Sequence, residues 1–292
     1  MFSNYLKTAW RNLMRNKTYA LINIMSIAIG LAAFWMIALY IGDEFSYDRE
    51  QPAADRIYRV VQHASWDGGK LDLPLTAPPF APAMQAAFPE VEHATRIDLE
   101  GGGVMTYGNK TLKTNDIIFA DDQFFKVFSH DFLYGSADNA LSKPQSIVIT
   151  KSLAEKIFGD ASTALNQVIN FGVDNSTTVT GVIKDVAENN HLRFSGVRSA
   201  GEFYNSNQWK DFYLYTYLNL TPSASIAALE KRLPKFSAAT IQKDMGVKDY
   251  RMELQPLTSI HLHSDLDYEI GAKGSINRVY MFMAIAVLIL LI

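Results

Sequence analysis

Two histidines and two aspartates lie close together in HLHSDLD, residues 261–267, and they are the strongest candidates for metal chemistry in the sequence. On a strand, His261 and His263 would project from one face, with Asp265 and Asp267 close behind. A zinc site needs three or four converging ligands. Two histidines in a polar linker before an apolar run are more typical of solvated residues. We therefore expect no metal site and no cofactor.

Motifs for catalysis or nucleotide binding are also missing. The fragments DGGKLD and YGNKTL lack the spacing of the phosphate-binding loop G-x-x-x-x-G-K-[ST], so ATP hydrolysis is not expected on this chain. No G-x-S-x-G elbow surrounds a serine, and EGGGV (100–104) is predicted to be a flexible turn. Asp121 and Asp122 lie at a predicted helix start, where helix capping is the expected role. We expect no catalytic residues.

An aromatic row is predicted on one face of the strand FYLYTYLNL, formed by Tyr213, Tyr215 and Tyr217. Such a row could line a surface for a peptide or a hydrophobic export substrate. Packing within the sheet is the simpler interpretation, and it is the one we expect.

Charge divides the chain into unlike parts. All 30 acidic residues lie within residues 42–278, together with 23 of the 27 basic residues, so this section has a net charge of −7. That balance argues against nucleic-acid binding. The chain has no cysteine, which excludes disulfides, thiolate metal sites and a cysteine nucleophile.

Two uncharged apolar runs flank the acidic section. Residues 20–41 would form a helix of about 33 Å, enough to cross a hydrocarbon core of about 30 Å. Residues 279–292 would span only about 21 Å, which predicts the start of a second transmembrane helix in an N-terminal fragment of a longer protein. Four basic residues precede the first run, so the positive-inside rule places the N-terminus in the cytoplasm and residues 42–278 outside. The alternative is a cleaved signal peptide, whose apolar core is usually shorter.

Residues 1–19 are predicted to form an amphipathic helix at the cytoplasmic membrane surface. Lys7, Arg11 and Arg15 follow one another at four-residue steps, beside an apolar face. Trp10 would lie at headgroup depth, with the cations near anionic lipid. These charges could serve only to set the topology. Alternatively, the helix is also where a cytoplasmic partner binds.

The first apolar run carries small residues at helical spacing. Ser26 and Gly30 are four residues apart. Such spacing lets a second helix approach closely, and packing then drives association. We therefore predict that Ser26 and Gly30 lie on a helix-packing face in a transmembrane bundle.

The acidic section alternates strand and helix patterns. Its predicted strands include two pairs, RIYRVVQH with VEHATRIDL and FYLYTYLNL with YRMELQPL, and a helix is predicted inside each pair. The stretch between them is mainly β, with one predicted helix that has a capping box at Ser152 and Glu155 and a C-cap at Gly159. The predicted fold is therefore a membrane-anchored α+β chain, in which two β-α-β halves are interrupted by a mainly β insert.

Several stretches, spread over nearly the whole chain, carry a family resemblance: YLKTAWRNLMRNKTYALINIMSIAIGLA, DEFSYD followed by RIYRVV, FFKVFSHDFLYG, ALSKPQSIVITKSLAEKIFGD, VTGVIKDV and SIHLHS. In this order they resemble the MacB/FtsX-like permeases of ABC transporters, particularly the form common in Bacteroidetes. The resemblance implies a transmembrane helix, a periplasmic core domain and further transmembrane helices. It implies a Porter-like subdomain at 56–115 and 206–260, a Sabre-like insert at 116–205, and the start of transmembrane helix 2 at 279–292.

The same resemblance implies mechanotransmission in the cell inner membrane. Separate ATPase subunits would dimerise on ATP and move the membrane helices, and the periplasmic domains of two permease copies or modules would then open or close. The surface helix around Trp10, Arg11 and Arg15 would contact the ATPase, while Ser26 and Gly30 would pack in the bundle. Related permeases handle peptides, drugs or lipoproteins, and nothing in the sequence selects among them. Family members continue with complete helices where this sequence stops.

Two other functions fit parts of the pattern. A sensor or receptor could also have two membrane spans around an extracytoplasmic domain, and it would continue into a cytoplasmic linker with heptads. A membrane-anchored extracytoplasmic enzyme would need converging polar residues, which the sequence does not offer.

Overall fold

The computed structural model describes residues 2–66, 68–172, 175–246 and 249–291. The chain divides into two compact units, a helical unit of Met1–Ser46 with Gly274–Ile292 and a sheet unit of Tyr47–Lys273. Met1 and Ile292, the end residues of the predicted first and last segments, lie outside the described residues.

The helices of the helical unit are α1 (Phe2–Arg15), α2 (Lys17–Ser46) and α10 (Ile276–Leu291). The described residues of the sheet unit form the short helices α3 (Phe80–Ala87), α4 (Phe124–Val127), α5 (Lys151–Phe158), α6 (Ile226–Glu230), α7 (Leu233–Ala239), α8 (Ile241–Met245) and α9 (Ile260–His263). They also form 3₁₀ turns at Ala137–Asn139, Ala161–Thr163, Gly201–Tyr204 and Leu257–Ser259. The strands are β1 (Ile57–Trp66), β2 (Gly69–Leu73), β3 (Leu75–Thr76), β4 (Val91–Asp98), β5 (Gly103–Tyr107), β6 (Lys110–Thr114), β7 (Ile117–Ala120), β8 (Phe132–Gly135), β9 (Ser146–Thr150), β10 (Val168–Phe171), β11 (Asn175–Ile183), β12 (Gly196–Ser199), β13 (Leu214–Leu220) and β14 (Asp249–Pro256).

Within the described residues, α2 is the one helix long and apolar enough to cross a membrane. It has 30 residues, a mean hydropathy of 2.2 over its most apolar stretch, and no buried residue. It is longer than the predicted run at 20–41, because no proline interrupts the helix before Ser46. A bend at Asn16 separates it from α1, and the Asn16 carbonyl accepts a hydrogen bond from Ala20 N at 2.9 Å. The apolar helix α10 has 16 residues.

Four strands of the sheet unit are neighbours in the order β14, β1, β13, β4, and all of these pairs are antiparallel. β1 and β4 therefore run in the same direction on either side of β13, and α3 lies between them in sequence. Likewise β13 and β14 flank β1, with α6, α7 and α8 between them. The two predicted β-α-β pairs are thus interlocked split units. Their strands and helices share one apolar cluster, which includes Val60, Phe80, Met84, Leu218, Leu229, Leu233 and Leu254.

Seven more strands extend the same sheet in the order β7, β12, β9, β11, β10, β5, β6, while β2, β3 and β8 pair with β1, β13 and β11 beside this path. β7 pairs with β12 in parallel, as does β9 with β11. A second apolar cluster joins α5 to these strands. The β5–β6 hairpin belongs to it, because Met105 packs in the cluster that contains Phe171 of β10. The predicted boundary at 116 separates this hairpin from the insert, whereas the structure pairs it with an insert strand.

Helix α5 shows where local patterning was right and where it was wrong. Gly159 ends the helix with φ +88°, which confirms the predicted C-cap. The N-cap is Thr150, whose hydroxyl accepts a hydrogen bond from Leu153 N at 3.4 Å, so the predicted capping box at Ser152 and Glu155 is wrong. The helix begins before Ser152, whose hydroxyl donates instead to Asp185 at 2.8 Å.

Candidate coupling site

The predicted membrane-surface residues lie on α1. Trp10 is 67% exposed, and Arg11 and Arg15 are exposed as well. A cavity of about 400 Å³ lies within the helical unit, lined by Ala9, Leu13, Asn16, Tyr19, Ala20 and Asn23. Trp10, Arg11 and Arg15 do not line it, so all three side chains are available to lipid or to a partner protein.

The predicted packing residues of α2 differ from one another. Gly30 faces α10, since a Cβ built on Gly30 would lie 3.7 Å from Ile289 Cγ2. Ser26 is exposed. The same pair of helices brings the rings of Tyr40 and Phe282 into edge contact, with centroids 5.2 Å apart.

The histidine-aspartate segment is not a strand. His261 and His263 lie on the short helix α9, which turns His261 into the core, where its ring stacks on Tyr47 with centroids 3.5 Å apart. His263, Asp265 and Asp267 are exposed. The strand geometry that would have put both histidines on one face is absent, because the chain turns helical soon after β14. No group of three or more histidines and acids converges as a metal site among the described residues.

The aspartates and tyrosines singled out above have structural contacts. Asp121, predicted to cap a helix, accepts hydrogen bonds from Thr95 at 2.7 Å and from Arg96 Nε at 3.1 Å, so its main role is to join β4 to the start of α4. Tyr215 and Tyr217 are buried in the sheet, as expected. Tyr213, outside β13, is 39% exposed.

Three buried side chains form a chain of hydrogen bonds inside the sheet unit. Asp48 Oδ1 accepts from His191 N at 3.1 Å and lies 2.8 Å from His191 Nδ1, while His191 Nε2 lies 2.8 Å from Tyr217 Oη. Burial raises the pKa of Tyr217, so its hydroxyl stays protonated and donates to Nε2. The histidine proton is then on Nδ1, where Asp48 accepts it.

Arg59 of β1 continues this chain with a buried ion pair. Its Nη1 and Nη2 each lie 2.7 Å from an oxygen of Glu269, which is a bidentate contact, and Nη2 also donates to Gln255 at 2.6 Å. Burial by itself would raise the pKa of Glu269, but the hydrogen bonds and charge of Arg59 outweigh it and hold this pKa below its usual value. The charge of Arg59 also acts on Tyr217. We call Asp48, His191, Tyr217, Arg59 and Glu269 the core network.

The core network lies where the chain enters and leaves the sheet unit. Asp48 is two residues beyond the end of α2, and Glu269 is seven residues before the start of α10. Asp48 has a left-handed backbone, with φ +61°, and its N–H donates to Asn189 O at 2.9 Å. On the other connection, Tyr215 Oη donates to Tyr268 O at 2.7 Å. Both connections are therefore bound to β1 and β13, the two middle strands of the order β14, β1, β13, β4.

Tethering of this kind is rigid because its groups are buried. Arg59 and Tyr217 have no exposed surface, and Asp48 is 1% exposed. Removing one member of such a pair leaves the other buried without its partner, which costs about 3–5 kcal/mol. A connection can move away from the sheet only at that cost.

No motif in the sequence pointed to this network. Asp48 and His191 are 143 residues apart, and Arg59 and Glu269 are 210 residues apart. The one local signal is Arg59 itself, a charge in the middle of the apolar strand pattern RIYRVV. A charge on a buried strand requires a partner, but the strand does not indicate which one.

Comparison with known proteins identifies a family for this chain and three solved structures that resemble it. Residues 20–236 match the family model of the MacB-like periplasmic core domain. A domain of a putative permease protein from Porphyromonas gingivalis is 26% identical, with a TM-score of 0.62 over 72% of this chain and 92% of that one. The periplasmic region of MacB from Actinobacillus actinomycetemcomitans is 13% identical, with a TM-score of 0.49 over 69% of this chain and 89% of that one. The extracellular domain of the ABC-type transporter YknZ from Gram-positive bacteria is 14% identical, with a TM-score of 0.48 over 68% and 99%. No curated protein sequence matches.

Proposed function

Because the chain belongs to the family of MacB-like periplasmic core domains, which are parts of ABC-type permeases, we propose that it works by mechanotransmission. In this proposal a separate ATPase binds and hydrolyses ATP, the membrane helices move, and the sheet unit moves with them on the outer side of the inner membrane. The N-terminus is cytoplasmic and residues 42–278 are periplasmic. The process served is export or another task in the cell envelope.

The core network is the observation that carries this proposal. Force from a membrane helix reaches the sheet through the connecting segments, and each connection ends on buried groups of β1 or β13. Asp48 ties the first connection through His191 to Tyr217. Glu269 ties the second to Arg59. With both connections held in one network, movement of the helices is transmitted to the sheet without being lost in flexible linkers.

The remaining roles follow from exposure and from the family. Trp10, Arg11 and Arg15 are exposed on α1 and form the contact with the ATPase at the membrane surface. Ser26 and Gly30 belong to the packing face of α2 in a bundle completed by a second permease copy or a second module. The four-strand part is the Porter-like subdomain and the strands from β5 to β12 are the Sabre-like one. The cargo is a peptide, a drug or a lipoprotein.

The test is a distance measurement between the sheet units of two permease copies in different nucleotide states. The sequence has no cysteine, so Val168→Cys places one spin label on β10 of each copy, at a side chain that is 46% exposed. The complete permease is reconstituted with its ATPase in nanodiscs, and the label distance is measured by pulsed electron paramagnetic resonance.

Trapping the ATPase with ATP should shift this distance distribution relative to the nucleotide-free state, and ADP should not. The matched control carries both Val168→Cys and Tyr213→Cys in one copy and dilutes it with unlabelled copies, so that the distance within one sheet unit is measured, and this distance should stay constant. An identical β10–β10 distribution in all nucleotide states contradicts mechanotransmission.

A further inference from the structure

A second buried arginine, Arg198 of β12, has no carboxylate partner among the described residues. It is 6% exposed, and its Nη1 donates to Gly101 O at 3.2 Å. Its guanidinium carbon lies 4.0 Å from the ring centroid of Phe171 and 4.6 Å from that of Phe119. The rings attract the cation through their faces, so they hold the charge in place without neutralising it.

The position of the guanidinium is fixed by the glycine turn before β5. A Cβ on Gly101 would lie 2.6 Å from the backbone carbon of Ile118, so only glycine lets the turn approach β7 this closely. That approach brings the Gly101 carbonyl to Nη1 of Arg198. The two phenyl rings fix the plane of the guanidinium and the carbonyl fixes one of its edges, so the group is preorganised.

The opposite edge of the guanidinium, formed by Nε and Nη2, is unpaired among the described residues. Nε is buried and has no hydrogen-bond partner among the described residues, and the same residues provide none for Nη2. These two N–H groups point the same way, with the spacing that suits both oxygens of one carboxylate. Burial lowers the pKa of Arg198 to about 10, and the group is still charged at neutral pH.

The nearby acid on this face does not fill that edge. Asp98 lies opposite Phe119, and Phe119 lies opposite Arg198, so the three share one row across β4, β7 and β12. The Phe119 ring therefore separates the carboxylate from the guanidinium. Asp98 instead accepts a hydrogen bond from Glu100 N at 3.0 Å.

An apolar surface adjoins this row. Phe203 is 78% exposed, and its ring centroid lies 6.3 Å from that of Phe119. A ligand whose carboxylate binds the unpaired edge of Arg198 would therefore place its substituent near aromatic rings.

We propose that Arg198 binds a carboxylate whose apolar substituent packs against Phe119 and Phe203. The C-terminus of an apolar peptide and a short fatty acid share this chemistry. The site uses no member of the core network, so it stands or falls separately from the proposed transport mechanism.

The test is isothermal titration of the full chain in nanodiscs with three probes. N-acetyl-glycyl-phenylalanine represents a peptide C-terminus, hexanoate represents a fatty acid, and N-acetyl-glycyl-phenylalaninamide lacks the carboxylate. At least one acid should bind with saturation, and about tenfold more tightly than the amide, because only a carboxylate can accept both N–H groups. The tighter acid identifies the source. If neither acid saturates, or if neither acid binds more tightly than the amide, the proposal is wrong.

Two variants locate the binding. Arg198→Lys keeps the charge but loses the paired donors, so the acid should bind about tenfold more weakly. Phe203→Ala removes only the apolar surface of an exposed side chain and should weaken binding several-fold while leaving the fold unchanged. Arg251→Lys, on the exposed face of β14, is the matched control and should bind as the native chain does. Native affinity in both Arg198→Lys and Phe203→Ala would overturn the assignment.

Discussion

Two buried arginines of the sheet unit are treated in opposite ways. Arg59 is matched by a bidentate carboxylate from Glu269 and by Gln255, whereas Arg198 has two aromatic rings and one carbonyl. The charge of Arg59 is balanced by a carboxylate that comes from the connection to α10, although its Nε has no hydrogen-bond partner among the described residues. Arg198 is far from both connections in sequence, and its charge has no carboxylate partner among those residues. Burial of a cation can thus build a mechanical tie or a binding group, and the partner decides which.

The largest expected effect is on the compensated pair. Glu269→Gln leaves Arg59 buried without its counter-charge, so the free energy of unfolding should fall by about 3–5 kcal/mol. Urea unfolding of the full chain in detergent micelles measures this loss. Glu253→Gln is the control, because the Glu253 side chain is 42% exposed and pairs with exposed Arg251, so its loss should stay below about 1 kcal/mol. Equal losses in the two variants would show that the Arg59 pair is no special tie.

A pH titration separates a third group, the half-buried His130, from this pair. Burial lowers the pKa of His130 to about 4. As pH falls from about 6.5 to about 4, the unfolded chain takes up this proton first, so the free energy of unfolding should drop by about 3 kcal/mol over that range. The loss due to Glu269, whose pKa is lowered in the folded state, begins only below the ordinary pKa of glutamate at about 4.3.

His130→Phe keeps an aromatic ring among Phe124, Phe125 and Phe194 and removes the titration. The stability of this variant should be flat between about pH 6.5 and 5, while the loss at lower pH remains. An unchanged slope in His130→Phe would assign the pH dependence to another group.

A smaller effect is expected in the uncharged part of the core network. Tyr217→Phe leaves His191 Nε2 buried without a hydrogen bond, which should cost about 1–3 kcal/mol. Tyr213→Phe changes a half-exposed phenol and should stay within about 0.5 kcal/mol. The comparison uses thermal unfolding of the two variants side by side, and a Tyr217→Phe chain as stable as the control would remove the network from the tether.

The smallest effect is expected at the uncompensated arginine. Arg198→Met replaces an unpaired buried cation by an apolar chain of similar length, so stability should change by less than about 1 kcal/mol or increase. Arg59→Met should instead lose about 3–5 kcal/mol, because Glu269 is left unpaired. If both methionine variants lost the same amount by urea unfolding, the contrast between the two arginines would not hold.

Local features were predictable from sequence where one short pattern determines them. The apolar composition of residues 20–41 predicted the long helix α2, and alternating residues predicted β4 and β13 close to their observed bounds. Gly159 ended a helix as expected, because the turn after the helix needs a positive φ, which glycine adopts easily. The resemblance to MacB/FtsX-like permeases agrees with the family match.

The coupling site could not be predicted in the same way. His191 and Glu269 carry no local pattern, and their partners Asp48 and Arg59 lie more than a hundred residues away. Only the sheet order brings them together. The spacing of His261 and His263 would put both side chains on one face of a strand, but both residues lie on the helix α9, where they point in different directions.

The most direct measurement is the β10–β10 label distance between permease copies in two variants of the reconstituted complex, Glu269→Gln and Arg198→Met, below both unfolding temperatures. We expect ATP to shift the distance in Arg198→Met as in the native chain. In Glu269→Gln the shift should be lost or broadened while the ATPase still hydrolyses ATP, because the second connection is no longer tied to β1. A full ATP-dependent shift in Glu269→Gln would contradict transmission through the core network.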